Sequence, residues 1–317
     1  MNKEAIKKGL GYVSFTVFAL GVSLYLTFPT KAVGQRVSYE VNQRLGNSMR
    51  VSFDEVGLSG LSGIEAEGVE LILTHQTPPV KIAVDSLEAN VELLALATGD
   101  LTVAVHAGLG DGAIDASITP GEKPGEINVE AELDQVNLVS PPIASQLAGL
   151  PVHGVLTGKV NVDWRNDPRK ATGEVELRAE GVGVGPGVVV GFTLPNVGLG
   201  NLELALSMKS GALKVESFEQ TGGDIQAAIN GEFSVRSRLA STSMNACVKL
   251  KGDPDYLDKQ PKLKTALELA TVKLKKDGDD FLHIPLAGTV GRPRMRGGLC
   301  RQGRQSKGRS GSSRGGR

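Results

Sequence analysis

Glu126-Ile127-Asn128-Val129-Glu130-Ala131-Glu132-Leu133 alternates a polar with an apolar side chain at every step. In an extended chain successive Cβ atoms point to opposite faces, so this octet puts its four apolar side chains on one face and its carboxylates on the other. A helix would scatter both sets around its axis. The reading is a half-buried β-strand, and the same period recurs from Lys159 to Trp164, from Glu174 to Glu180 and from Leu202 to Met208. Such alternation belongs to antiparallel sheets with one wet face, because the strands of parallel sheets are apolar on both. Glycine makes up 41 of the 317 residues, well above the usual ~7%, and it separates these strands.

Further towards the amino terminus, Leu10 to Phe28 is an apolar run of 19 residues without a charge. At ~1.5 Å per residue it is long enough to cross a hydrocarbon core of ~30 Å. A secretory signal peptide is the alternative, but Thr30-Lys31-Ala32 is a poor cleavage site. The run therefore reads as an uncleaved anchor bounded by Leu10 and Phe28. Lys3, Lys7 and Lys8 precede it, while Lys31, Arg36 and Arg44 come after it, so the basic count is nearly balanced. The simpler topology keeps the short amino terminus inside and the main domain outside. An amino-terminal apolar helix and an aromatic content of 4% argue against an outer-membrane barrel with aromatic girdles.

The chain divides on this reading into a cytoplasmic segment 1–9, a transmembrane helix 10–28, a juxtamembrane helix 29–46, a β-rich domain 47–296 and a basic tail 297–317. The juxtamembrane helix rests on Val33, Val37, Val41 and Leu45 at every fourth position with Gly46 as its stop. The fold class expected is mainly β: a transmembrane helix, then an antiparallel β-rich extracytoplasmic domain, folded-over or sandwich-like, with two short helices. One helix is Ser140 to Gly149, with Pro141 and Pro142 at its start. The other carries Leu263, Ala266, Leu267, Ala270 and Leu274 on one face. Gly99-x-Leu101-x-Val103 and then Gly112-x-Ile114-x-Ala116 recur as Gly211-x-Leu213-x-Val215 and then Gly223-x-Ile225-x-Ala227. A duplicated hairpin accounts for this, as does chance similarity among glycine-rich strands.

The formal charge of zero hides an asymmetry. The tail 297–317 holds six basic residues and no acid, so residues 1–296 keep 29 of the 35 basic residues against all 35 acidic ones. A segment of this composition buries too little apolar surface to fold alone. It is either a solvated tail or an electrostatic adhesive for anionic lipid, an acidic partner or the chain's own acidic domain. Nucleic acid is not an expected partner outside the cytoplasm. Cys247 and Cys300 are too few for a disulfide framework. Cys247 shares a strand face with Asn245 and Lys249, which points to exposure and to two free thiols rather than a bridge.

Chemistry-bearing patterns are scarce. Gly108-Leu109-Gly110-Asp111-Gly112-Ala113 has the form of a dinucleotide fingerprint, which needs a helix after it. The next residues, Ile114 to Ile118, alternate as a strand, so the motif reads as a hairpin loop. His75, His106, His153 and His283 lack the paired spacing of a metal site and read as surface or loop residues. No serine lies in a nucleophile elbow, and the carboxylates fall on polar strand faces. Trp164 reads as core. No catalytic, cofactor or metal residues are expected, and the protein is not expected to be an enzyme.

Several segments in order resemble the type II secretion system protein N family and, more broadly, AsmA-like β domains. They are the anchor running into Tyr25-Leu26-Thr27-Phe28-Pro29-Thr30, the stretch from Leu87 to Leu101 and Leu150-Pro151-Val152-His153-Gly154-Val155-Leu156-Thr157-Gly158. Near the end come Gly200 to Ile225 and Ile284-Pro285-Leu286-Ala287-Gly288-Thr289-Val290-Gly291-Arg292-Pro293. The match covers most of residues 10–296. It implies a single-pass inner-membrane protein with a periplasmic domain, whose partners are other subunits of a secretion apparatus, and it carries over no catalytic residue. The AsmA-like character implies a second reading, a lipid-binding or lipid-transfer module. In that reading Val160, Val162, Val175, Leu177, Leu202, Leu204, Ile225 and Ala227 line an apolar groove.

Overall fold

A computed structural model describes residues 49–60, 63–73, 80–92, 101–123, 125–139, 150–189, 192–236, 241–270 and 274–300, together with 32, 35, 36, 38, 39, 42, 43 and 145. The anchor Leu10 to Phe28 lies outside the described residues. Among those described, no helix is long and apolar enough to cross a membrane. The described positions between 32 and 43 are helical, as is Ser145; the rest of the two helices expected over 29–46 and 140–149 lies outside the described residues.

The strands in chain order are β1 (Met49–Ser52), β2 (Glu55–Ser59), β3 (Gly63–Leu73), β4 (Val80–Val91), β5 (Val103–Leu109), β6 (Gly112–Pro120), β7 (Glu126–Asn137), β8 (Val152–Arg165), β9 (Thr172–Val184), β10 (Gly187–Val189), β11 (Phe192–Leu194), β12 (Val197–Lys209), β13 (Ala212–Thr221), β14 (Ile225–Ser234), β15 (Ser243–Gly252), β16 (Leu282–Thr289) and β17 (Arg292–Met295). Fifteen of them form one antiparallel sheet in the order β1-β3-β4-β5-β6-β7-β8-β9-β12-β13-β14-β15-β16-β17, with β2 pairing the first half of β3 and β1 its second half. The remaining two, β10 and β11, make a separate ribbon. The octet from Glu126 to Leu133 is the first two-thirds of β7, at the middle of the sheet.

Near-sequential order results from short connections, because a two-residue turn can join only antiparallel neighbours. Gly110-Asp111 joins β5 to β6, so the fingerprint-like motif is a hairpin; Gly110 has a φ of 64°, and its N–H donates to the Asp85 carboxylate at 2.7 Å. Ser210-Gly211 turns β12 into β13 with both residues at positive φ. A side chain at Gly211 would meet the Pro168 backbone, so glycine there answers both a conformation and a close approach.

Register carries the period-two pattern across the sheet. Val105, Ala116, Ala131, Val160, Val175 and Leu206 stand side by side from β5 to β12. One residue along, His106, Asp115, Glu132, Lys159 and Glu176 form a charged row on the opposite face. Buried side chains that contact one another form two clusters, while Ala179, Met208, Ala246, Leu282 and others are buried outside them. The first, around Val56 and Val69, lies towards β1–β4 and reaches Val136. The second joins Val197, Ile225 and Leu263, with Leu250, Tyr256, Leu257 and Leu267 packed on it. Between them the apolar row is only half-buried. Trp164, expected in the core, is also half-buried, because it sits near the end of β8 opposite the exposed Ile127.

Two short helices cross between β15 and β16: α1 (Pro254–Lys259) and α2 (Pro261–Ala270). Helix α2 is the one expected around Leu263, although Leu274 leaves it and bridges to Gly298. Helix α1 begins at Asp253, whose side chain accepts the Tyr256 N–H at 3.1 Å, with Pro254 in the first turn.

Side-chain amides repair the backbone in two places. On the β1 edge, Asn42 both donates to the Val51 carbonyl and accepts the Val51 N–H, each at 2.8 Å. Between β13 and β14 the ladder spans only Ala212–Lys214 against Glu232–Ser234. Past it, the Gln220 amide donates to the Leu199 and Ile225 carbonyls at 2.6 and 2.7 Å and accepts the Ala227 N–H. Gln220→Ala leaves these half-buried groups without that partner, and we expect a loss of about 1–3 kcal/mol, read from the denaturant midpoint.

Candidate functional site

The eight residues expected to line an apolar groove lie on the same face of the sheet. Val160 stands opposite Val175, and Leu177 opposite Leu204. Val162 and Leu202 occupy rows to either side, and all six are half-buried. Ile225 differs: it is 9% exposed, enclosed by the cluster that α1 and α2 close. Ala227 is half-buried beside it on β14.

Two grooves, of about 680 and 640 Å³, open instead on the polar face over β4–β13. The reason is side-chain length. Glutamates, Lys159 and Arg178 stand as walls, whereas Ala104, Ser117, Ala205 and Ser217 leave low ground between them. The backbone of Leu177 and Leu204 is floor here while their side chains face the other way. Together the grooves are bordered by eight carboxylates against Lys159 and Arg178. Lys159 pairs with Glu132 at 3.2 Å, Arg178 with Glu203 at 2.8 Å, and His106 Nδ1 with Asp115 at 2.6 Å. These pairs are exposed and contribute little to stability. Glu174, Glu176 and Glu219 have no ion pair among the described residues. The lining of the two grooves is acidic.

The chemistry that sequence reading missed lies farther along this face, on β15 and β16. Cys247 and Cys300 are joined in a disulfide. Cys247 is 5% exposed, not open to solvent. Strand alternation correctly placed it on the polar face, but Cys300 and Asp277 lie over that face here: Cys300 is bonded to Cys247 and its N–H donates to the His283 ring, while the Asp277 carboxylate meets His283 and Lys249. The tail expected to begin at Gly297 is thus part of the fold through Cys300.

His283 is likewise buried, at 4% exposure, rather than a surface residue. Its Nε2 is 2.8 Å from the Asp277 carboxylate, and its Nδ1 accepts the Cys300 N–H at 3.0 Å. Nε2 therefore carries the proton, donated to Asp277. The His283 hydrogen bond, with backbone N–H groups of Phe281 and Asp279 and the Lys249 ammonium, holds Asp277 far below the ordinary carboxylate range against the opposing effect of burial. Ligand atoms of Cys247, His283 and Cys300 lie within 4.8 Å of one another, but the sulfurs are bonded to each other and are not thiolate ligands. The cluster is a staple with a hydrogen-bonded support.

Comparison with protein-family models, curated proteins and solved structures finds no match in any of the three.

Proposed function

We propose that this protein is a membrane-anchored, non-catalytic subunit of a type II secretion apparatus, acting in assembly of the machine that exports folded proteins. The observation that supports this most is one broad sheet with an acidic polar face and a half-buried apolar face. Two chemically opposite surfaces on one rigid element suit a part that holds other subunits in register. The sequence resemblance from Tyr25 to Pro293 supplies the setting: an anchor in the inner membrane and the sheet in the periplasm.

A second reading draws on the apolar face itself. Val160, Val175, Leu177 and Leu204 are half-buried where a closed core would bury them, so the face is suited to acyl chains, as in an AsmA-like lipid module. A deletion strain separates the two. Loss of export across the outer membrane, with normal delivery into the periplasm, is the expected result. Normal export with altered outer-membrane lipid composition assigns the protein to lipid handling.

A further inference from the structure

We propose that the acidic grooves on the polar face are the docking site of the chain's own basic segment, residues 301–317. The inference goes beyond the secretion reading and does not depend on it. Its starting point is where the disulfide puts the segment's origin. Asn245 shares a row with Glu232, Lys214, Ser207 and Glu174. Cys247 is two residues farther along β15 and so points from the same face. Cys300, bonded to Cys247 and held by the His283 ring, launches the next residue from the face that carries the grooves.

Reach is sufficient. From β15 to β9 is four steps in the sheet order, or about 19 Å at ~4.8 Å per strand. Lys307 is seven residues beyond Cys300 and extends up to about 23 Å at ~3.3 Å per residue. Glu219 on β13 and Glu174 and Glu176 on β9 are therefore within its range.

Charge is matched. Residues 301–317 carry five arginines, one lysine and no acid. The grooves carry eight carboxylates against two cations, a surplus of six. The tether keeps the segment at high effective concentration beside its site, so individually weak exposed contacts accumulate. Glycine and serine between the arginines let the backbone track the walls without apolar anchors. The segment then occupies the acidic face until a competitor of greater charge, an anionic lipid surface among them, draws it off.

The test uses the full oxidised chain. A carbodiimide converts a Lys307 amine and an adjacent carboxylate to an amide with loss of water. At low salt the expected product is a cross-link within one chain from Lys307 to Glu174, Glu176 or Glu219, mapped by mass spectrometry. It should be lost at about 1 M salt, where the screening length is about 3 Å. A variant carrying Glu174→Gln, Glu176→Gln and Glu219→Gln lacks those cross-linking carboxylates, so its readout is the release of the segment: faster tryptic cleavage after Arg304 and Arg309 with an unchanged far-UV spectrum. Cross-links confined to carboxylates away from the grooves, cross-links only between chains, or cleavage rates equal in the parent and the variant would overturn the proposal. So would a segment that binds anionic vesicles yet shows no groove cross-link in their absence.

Discussion

Cys300→Ser is expected to lower the stability of the oxidised domain by about 4 kcal/mol, the entropy of closing a loop of this length in the unfolded chain. The two half-cystines are 53 residues apart, and the loop between them contains α1, α2, β16 and β17. Without the bond these elements remain joined to β15 by the β15–β16 ladder, the packing of Leu250 against α1 and α2, and the exposed or half-buried contacts of Lys249 and Lys251 with Asp277 and Asp279. Cys247→Ala should cost a similar amount, because the oxidised pair is what either substitution removes. The measurement is a denaturant midpoint with and without a reducing thiol: the parent should fall to the level of the variants on reduction, and the variants should not respond. Ending the chain at Arg296 should cost as much as Cys300→Ser. Ending it after Cys300 should change stability by less than about 1 kcal/mol, since only exposed charged contacts are lost. A reduced parent as stable as the oxidised one would show that the loop is already closed by other contacts.

That expectation differs from what composition suggests, and the difference shows what a sequence can and cannot express. A basic Gly/Ser/Arg segment reads as separable from the fold, and for residues after Cys300 the composition is the whole argument. Leu299 and Cys300 look like part of it because their attachment is a partner 53 positions away, which no local pattern encodes. The same blindness affected Cys247 and His283. Alternation tells which face a side chain uses, and for Cys247 it did so correctly, but whether a later segment lies over that face is a tertiary fact.

Strands were legible for the opposite reason. Glu126 to Leu133 needs only its own period to be placed, and register then propagates the pattern into continuous rows from Val105 to Leu206. Helix α1 was missed although Asp253-Pro254 is a serviceable start signal. Its six residues are too few to show an apolar period. The grooves were missed because depth depends on unequal side-chain length across six strands, and so on register. Ala205 and Ser217 are low ground only because Glu176 and Glu219 rise beside them.

The apolar face invites a graded experiment. Val56 is 1% exposed within the first buried cluster, so Val56→Asp strands a carboxylate with no partner, and a loss of about 4 kcal/mol or more is expected. Leu177 and Leu204 face each other where the sheet is half-buried. An aspartate at either keeps much of its water, and the loss should be about 1–2 kcal/mol, chiefly from apolar contact forgone. Glu174→Lys, on the polar face opposite Asn161 and Ser207, should stay within about 0.5 kcal/mol. Denaturant unfolding of the four variants gives the order directly. Equal losses at Val56 and Leu177 would mean that the centre of the face is packed as tightly as its ends, leaving no room for acyl chains. The expected gradient, joined to a secretion or lipid defect from Leu177→Asp in cells, would separate what the face contributes to folding from what it contributes to function. A residue can be dispensable for stability and indispensable for contact only where the fold has left it partly uncovered.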